Sequence, residues 1–135
     1  MVKKSAKEPS FVFTEEEVKL KSKLAKAFLE TRTVENESVD SADNKLLKRL
    51  YNVDHNAYLE GGALPAKTKE LMGLVASASL RCDDCIYYHV IQAFRLGASR
   101  DEVQEALNIA TVVGGTIVVP HLRRSYLLLD QLYHS

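Results

Sequence analysis

Apolar positions recur along most of this chain at helical spacing. Thr14 to Glu17 reads TEEE, a capping box that opens a helix. Leu20, Leu24 and Phe28 follow one turn apart, predicting a first helix of about four turns. The stretch TRTVENESVDSADN is polar and aperiodic, and reads as a linker. From about Asp43, the positions Leu46, Leu47, Leu50 and Tyr51 mark a second helix, with Gly61-Gly62 as a stop signal. Pro65 suits the first turn of a third, PAKTKELMGLVASASL. The fourth runs from about Cys82 to Leu96, ahead of Gly97. Ser99 and Glu102 form a second capping box, opening a fifth helix with Val103, Ala106, Leu107 and Ala110 on one face. The last element spans about Thr116 to Tyr133, where Pro120 predicts a kink.

One segment carries a competing signal. IATVVGGTIVV is β-branched around a Gly-Gly pair, a pattern also found in hairpins. Helix is favoured because the capped 3.6-residue period runs into it from the N-terminal side. The expectation is an all-α, single-domain bundle of about six helices over residues 13–135, preceded by a flexible arm over residues 1–12. No internal repeat is visible.

Charge narrows the function classes. The formal net charge is +0 over 135 residues, so no global field attracts nucleic acid or an anionic membrane. AFRLGASRDEVQEAL has a helix-turn-helix outline, but its second helix begins with acidic residues where a DNA reader carries basic ones. The basic start MVKKSAKE precedes no apolar run, and no stretch is long and apolar enough to span a bilayer. A cytoplasmic protein is expected, with no nucleic-acid or membrane partner.

The candidate chemistry lies in RCDDCIYYHV, which holds both cysteines of the chain. In a cytoplasmic protein a C-x-x-C is more often catalytic or metal-binding than a structural disulfide. On a helix Cys82, Cys85 and His89 fall within roughly 60° of one another, on a stripe shared with Ile86, Ala93 and Leu96. The thiols are therefore expected to point towards the protein. Cα atoms at i,i+3 lie about 5 Å apart, within disulfide range. Cys85 falls in the first turn, where the helix dipole favours a thiolate; Asp83 and Asp84 oppose it. His89, one turn on, is the available base.

Other readings of the same residues compete. Both cysteines can be small buried hydrophobes, with His89 a core histidine. Zinc needs four ligands, and His55, His121 or Glu70 would have to complete the set. The redox reading is preferred because the two cysteines stand at redox spacing with a histidine on their stripe. Glu70 is either an exposed carboxylate pairing with Lys67 or Lys69, or a partly buried group beside Leu74. His121, with Arg123 and Arg124, would either reach the dithiol or an anionic substrate, or form a solvated edge. Tyr87 is assigned to the core and Tyr88 to a pocket. The last element is apolar on more than one face, through Ile117, Val118, Leu122, Leu127 and Leu128 among others, which predicts a subunit interface.

Glu70, Cys82, Cys85 and His89 form the pattern E-x11-C-x2-C-x3-H. With its surroundings from Leu64 to Gly115, the pattern resembles the alkylhydroperoxidase D (AhpD-like) branch of the carboxymuconolactone decarboxylase family. The resemblance implies an all-helical fold, trimers or hexamers, and no cofactor or metal. It implies a hydroperoxide substrate, with Cys85 as the nucleophile that becomes a sulfenic acid and Cys82 as the thiol that condenses with it. Glu70 and His89 would form the proton relay. A lipoyl protein or thioredoxin-like donor would reduce the disulfide. The founding type of the branch has a relay histidine where this chain has Asp84, so Asp84, Tyr88 and His121 are accessory candidates. The alternatives are a disulfide reductase or redox relay without a peroxide substrate, and a non-catalytic metal-binding or scaffold protein.

Overall fold

The computed structural model describes residues 6–134. Seven α-helices run in chain order: α1 Glu15–Lys21, α2 Lys23–Ser41, α3 Lys45–Ala57, α4 Ala66–Ser79, α5 Asp83–Arg95, α6 Arg100–Gly114 and α7 Val119–Leu132. A single 3-10 turn, Thr116–Val118, precedes α7. No strand occurs among the described residues, apart from one isolated bridge between Lys7 and Glu60. The fold class is all-α, as the periodicity predicts.

Both capping boxes form. Thr14 and Glu17 satisfy each other's amides at the start of α1, and Ser99 and Glu102 do so at α6. The first expected helix is instead two. Ser22 adopts extended angles (φ −138°, ψ 119°), and its hydroxyl accepts the Ala25 amide. That hydroxyl donates to Gln131 on α7 at 2.7 Å, and the same Gln131 oxygen accepts the Leu24 amide at 3.0 Å. The Ser22 cap and the tertiary clamp on Gln131 together break the helix. Leu20, on the predicted stripe, is left exposed by the break.

The expected linker is also helical. α2 continues to Ser41, because its residues are compatible with helix even without an apolar period. α3 starts at Asn44, whose side chain accepts the Leu47 amide. It has no buried residue, and Leu46, Leu50, Tyr51 and Val53 are exposed.

The Gly-Gly pair ends a helix and makes no hairpin. Gly115 has φ +82°, and a Cβ on Gly114 would meet the Val118 side chain at 2.5 Å. Pro120 lies in the first turn of α7, where its missing amide costs nothing, so it starts the helix without a kink.

The core gathers around α4, α5 and α6, closed by α1, α2 and α7. Leu74, Ile86, Ile91, Leu107, Leu128 and Leu129 are among its fully buried side chains, each contributing roughly 1.5–3 kcal/mol by burial. Of the expected flexible arm, residues 1–5 lie outside the described residues. Residues 7–13 are docked: Lys7 exchanges backbone bonds with Glu60, and the Val12 amide donates to the Arg95 carbonyl at 2.7 Å. No helix among the described residues is long and apolar enough to cross a membrane.

Candidate functional site

The site is built at the joint between α4 and α5. α4 ends in a Schellman motif, with the Cys82 amide on the Ser77 carbonyl and the Arg81 amide on that of Ala78. Arg81 takes the left-handed conformation, φ +62°, that this motif requires. The motif turns the chain back at once, and Cys82 becomes the N-cap of α5, its sulfur accepting the Cys85 amide at 3.3 Å. Cys85 is the third residue of the helix, in the turn where free amides gather.

Cys82 and Cys85 are joined as a disulfide, with Cα atoms 5.3 Å apart. The expectation that both thiols face the core is corrected. Cys82 is half-buried and Cys85 exposed, because Cys85 lies at the mouth of a cavity and not under a neighbouring helix. The reading of two buried small hydrophobes fails on the same observation.

Glu70, from the interior of α4, meets His89 from α5. Its Oε2 lies 2.6 Å from His89 Nδ1, and both residues are buried, at 3% and 8% exposure. Glu70 is therefore more deeply placed than a stripe edge suggests, and it pairs with neither Lys67 nor Lys69. With Glu70 as a carboxylate, which only accepts hydrogen bonds, the tautomer that fits this contact carries its proton on Nδ1 and leaves Nε2 as the ring's acceptor. The spacing works because Glu70 and Leu74 lie on the buried stripe of α4 with Ser77 and Ala78.

Gly73 makes room for this pair. A Cβ there would lie 2.7 Å from the Tyr58 hydroxyl and 2.8 Å from His89 Cε1. Sequence reasoning missed it, although its place one turn from Glu70 is a usable signal. Tyr58 and Tyr88 flank the imidazole, with ring centroids 5.3 and 5.5 Å away. Burial, and next the Glu70 carboxylate, push both phenols above their usual range, so they stay neutral.

A cavity of about 590 Å³ opens beside the disulfide. Cys85 and His89 both line it; Cys82 does not. Phe28, Tyr87 and Tyr88 give it aromatic walls, and Tyr51 closes the α3 side. Tyr88 lies in the wall as expected. Tyr87, half-buried, packs against the core as expected and lines the cavity as well. Arg32 stacks over the Tyr88 ring at 4.5 Å. It comes from the segment read as a linker, so nothing in the sequence marked it. Against this one cation the lining sets Glu35, Asp54 and Asp84, a balance that suits uncharged ligands better than anions.

His121 pairs with Asp83, next to Cys82 in the chain. Its Nδ1 lies 2.8 Å from Asp83 Oδ1, and Arg124 donates to Asp83 Oδ2 at 3.1 Å. The pair ties α7 to the start of α5, and the Arg124 guanidinium offsets the charge of Asp83, one of the two carboxylates that oppose a thiolate. Among the described residues no group of three or more His, Cys, Asp or Glu is arranged to hold a metal ion.

Comparison with known proteins identifies the family. The sequence model of the Carboxymuconolactone decarboxylase family matches residues 44–125. The crystal structure of TM1620 from Thermotoga maritima is 53% identical with a TM-score of 0.75, covering 79% of this chain and 93% of that one. A second crystal structure of TM1620, TM-score 0.73, is described as a family protein with a suggested involvement in antioxidative response. The family protein lpg0406 from Legionella pneumophila is 25% identical with a TM-score of 0.66, covering 79% of this chain and 92% of that one. Two uncharacterized proteins also match. One, from Cupriavidus necator, is 39% identical over 59 residues, 44% of this chain and 52% of its own length. The other, from the cox locus of Paracoccus denitrificans, is 30% identical over 71 residues, 53% of this chain and 64% of its own length. The chain thus aligns with between half and two thirds of each of these two relatives. With its family signature, its all-α fold and a disulfide-bonded C-x-x-C beside a buried Glu–His pair, the chain belongs to the carboxymuconolactone decarboxylase family, in keeping with the AhpD-like branch.

Proposed function

We propose that the protein is a thiol-dependent peroxidase that cycles Cys82 and Cys85 between dithiol and disulfide. The observation that carries this reading is that Cys85 and His89 open onto one cavity while buried Glu70 holds the far nitrogen of the same imidazole. His89 Nε2 takes the Cys85 proton, and Glu70 fixes the ring and offsets the charge it gains. The thiolate attacks one peroxide oxygen; a sulfur–oxygen bond forms and the oxygen–oxygen bond breaks. The leaving alkoxide takes the proton from His89 and departs as an alcohol. The Cys82 thiol then attacks the sulfenic sulfur, and water leaves with the Cys82 proton. A dithiol donor, a lipoyl group or a thioredoxin-like protein, restores both thiols by exchange and is itself oxidised.

A second reading has one observation in its favour. Asp84, in the cavity lining beside Cys85, stands where the founding branch has a histidine, and a carboxylate there disfavours the thiolate. In that case the protein exchanges disulfides without reducing peroxide. One equivalent of an organic hydroperoxide added to the reduced protein separates the two. The peroxidase reading expects one equivalent of alcohol and the loss of both thiols to an internal disulfide. Thiols that stay free, in a protein whose disulfide still exchanges with dithiols, would establish the second reading instead.

The protein acts as a homo-oligomer, a trimer or hexamer in this reading. Of the large hydrophobic residues of the last element only Ile117 and Leu127 are strongly exposed, so the apolar surface available for assembly lies mainly on α3, at Leu46, Leu50 and Val53, and at the end of α6, at Ile109, Val112 and Val113. Sedimentation at micromolar concentration is expected to give the oligomer, and Leu50→Glu to weaken it. A stable wild-type monomer would contradict the assignment.

A further inference from the structure

Glu70 faces two ways. One side holds His89; the other lines a second, much smaller cavity of about 50 Å³. The titratable groups around this cavity are Glu8, Asp54, His55, Tyr58 and Tyr88, besides Glu70 itself. Across the pair, His89 looks into the large cavity with Arg32, Glu35, Asp54 and Asp84. Glu8, Pro9 and Phe11 of the N-terminal segment form part of the wall of this small, partly open cavity.

That segment is fastened at several points. Glu8 Oε1 lies 2.6 Å from His55 Nε2. The Arg95 guanidinium stacks on Phe11 at 3.9 Å, and Arg95 also donates to the Phe13 carbonyl at 3.1 Å. Phe13 stacks on Phe94 with centroids 4.5 Å apart. Phe94 and Arg95 belong to the helix that carries His89. Yet Glu8 and Phe11 are themselves exposed, so neither is needed to fill the core.

A carboxylate acts on a neighbouring charge about four times more strongly in a protein interior than in bulk water. Water admitted behind Glu70 would spread its charge into solvent and slacken its hold on His89. We infer that the segment from Lys7 to Phe13 is the back wall of the relay: by covering the small cavity it limits the water that reaches Glu70, and so strengthens the hold of the Glu70–His89 pair on Cys85. The inference rests on the relay described under the proposed function. It makes Glu8 and Phe11 positioning residues, in contact with neither substrate nor sulfur.

The test is the pH profile of Cys85 alkylation by iodoacetamide in the full chain, with Cys82→Ser as the common background. In Glu8→Ala/Phe11→Ala the profile should move to higher pH by roughly half a unit to one unit, a three- to tenfold slowing near neutral pH. Adding the same two substitutions to Glu70→Gln should change nothing further, because the wall then guards no charge. Val12→Pro, which deletes the amide bonded to Arg95, loosens the segment by an independent route and should shift the profile in the same direction. An unshifted profile, or an equal shift with and without Glu70, would overturn the inference. Failure of the relay itself looks different: Glu70→Gln alone would leave the profile where it was.

Discussion

Glu70 and His89 stand nineteen residues apart in the chain and 2.6 Å apart in the fold, carboxylate oxygen to ring nitrogen. The Schellman turn at Arg81 prepares this meeting. It folds α5 back on α4 with a fixed offset, so that the residue one turn after Cys85 faces the residue one turn before Leu74.

Glu70→Gln tests the charge of this pair without changing its shape. The amide oxygen can still accept from His89 Nδ1, so the fold should hold. The stabilisation of a charged imidazole is lost. Alkylation of Cys85 should slow by about tenfold near neutral pH, the equivalent of one unit. The deficit should narrow at high pH, where the thiolate forms unaided. The rate of iodoacetamide reaction across pH 5 to 10, roughly the range over which thiols titrate, reads this directly.

Gly73→Ala should be costly at a position that looks tolerant by sequence. Alanine is the better helix former by about 1 kcal/mol. Here its methyl meets His89 and the Tyr58 hydroxyl below 3.0 Å, and His89 is held on its other side. Overpacking of this kind costs about 1–3 kcal/mol, so the net change should be a loss. Urea unfolding measures it, and Cys85 alkylation should slow in the same variant because the imidazole is displaced.

Asp83 and its two partners should show opposite signs. Asp83→Asn removes a negative charge beside the dithiol and should speed Cys85 alkylation. His121→Gln with Arg124→Gln leaves Asp83 uncompensated and should slow it, each by roughly two- to threefold because these groups are partly solvated. With Asp83→Asn already present, the His121 and Arg124 changes should have little left to do. Full additivity in the triple variant would show that the three do not act through one charge.

The legible parts of this protein were those written in local chemistry. Two capping boxes, a proline at a helix start and a dithiol with a histidine one turn on are short-range patterns, and each is present in the fold. The break at Ser22 was not legible, because it depends on Gln131, 109 residues away. The helix through the polar residues 31–41 was missed because an exposed helix needs no apolar period. With it went Arg32, the cation of the cavity wall. Cys85 turned out exposed where the helical stripe pointed inward: angular position on a helix fixes direction, but only the neighbouring elements decide whether anything lies there.

The central claim is that Cys85 is the thiol that meets peroxide. It lines the cavity with His89, and Cys82, the helix N-cap, does not. The two single-cysteine variants, Cys82→Ser and Cys85→Ser, should be reduced and mixed with an organic hydroperoxide near neutral pH while sulfenic acid formation is followed in time. The account predicts rapid sulfenic acid at Cys85 in Cys82→Ser, and a rate at least about tenfold lower at Cys82 in Cys85→Ser, where no base lies a turn away. Equal rates in the two variants, or a faster one at Cys82, would contradict it.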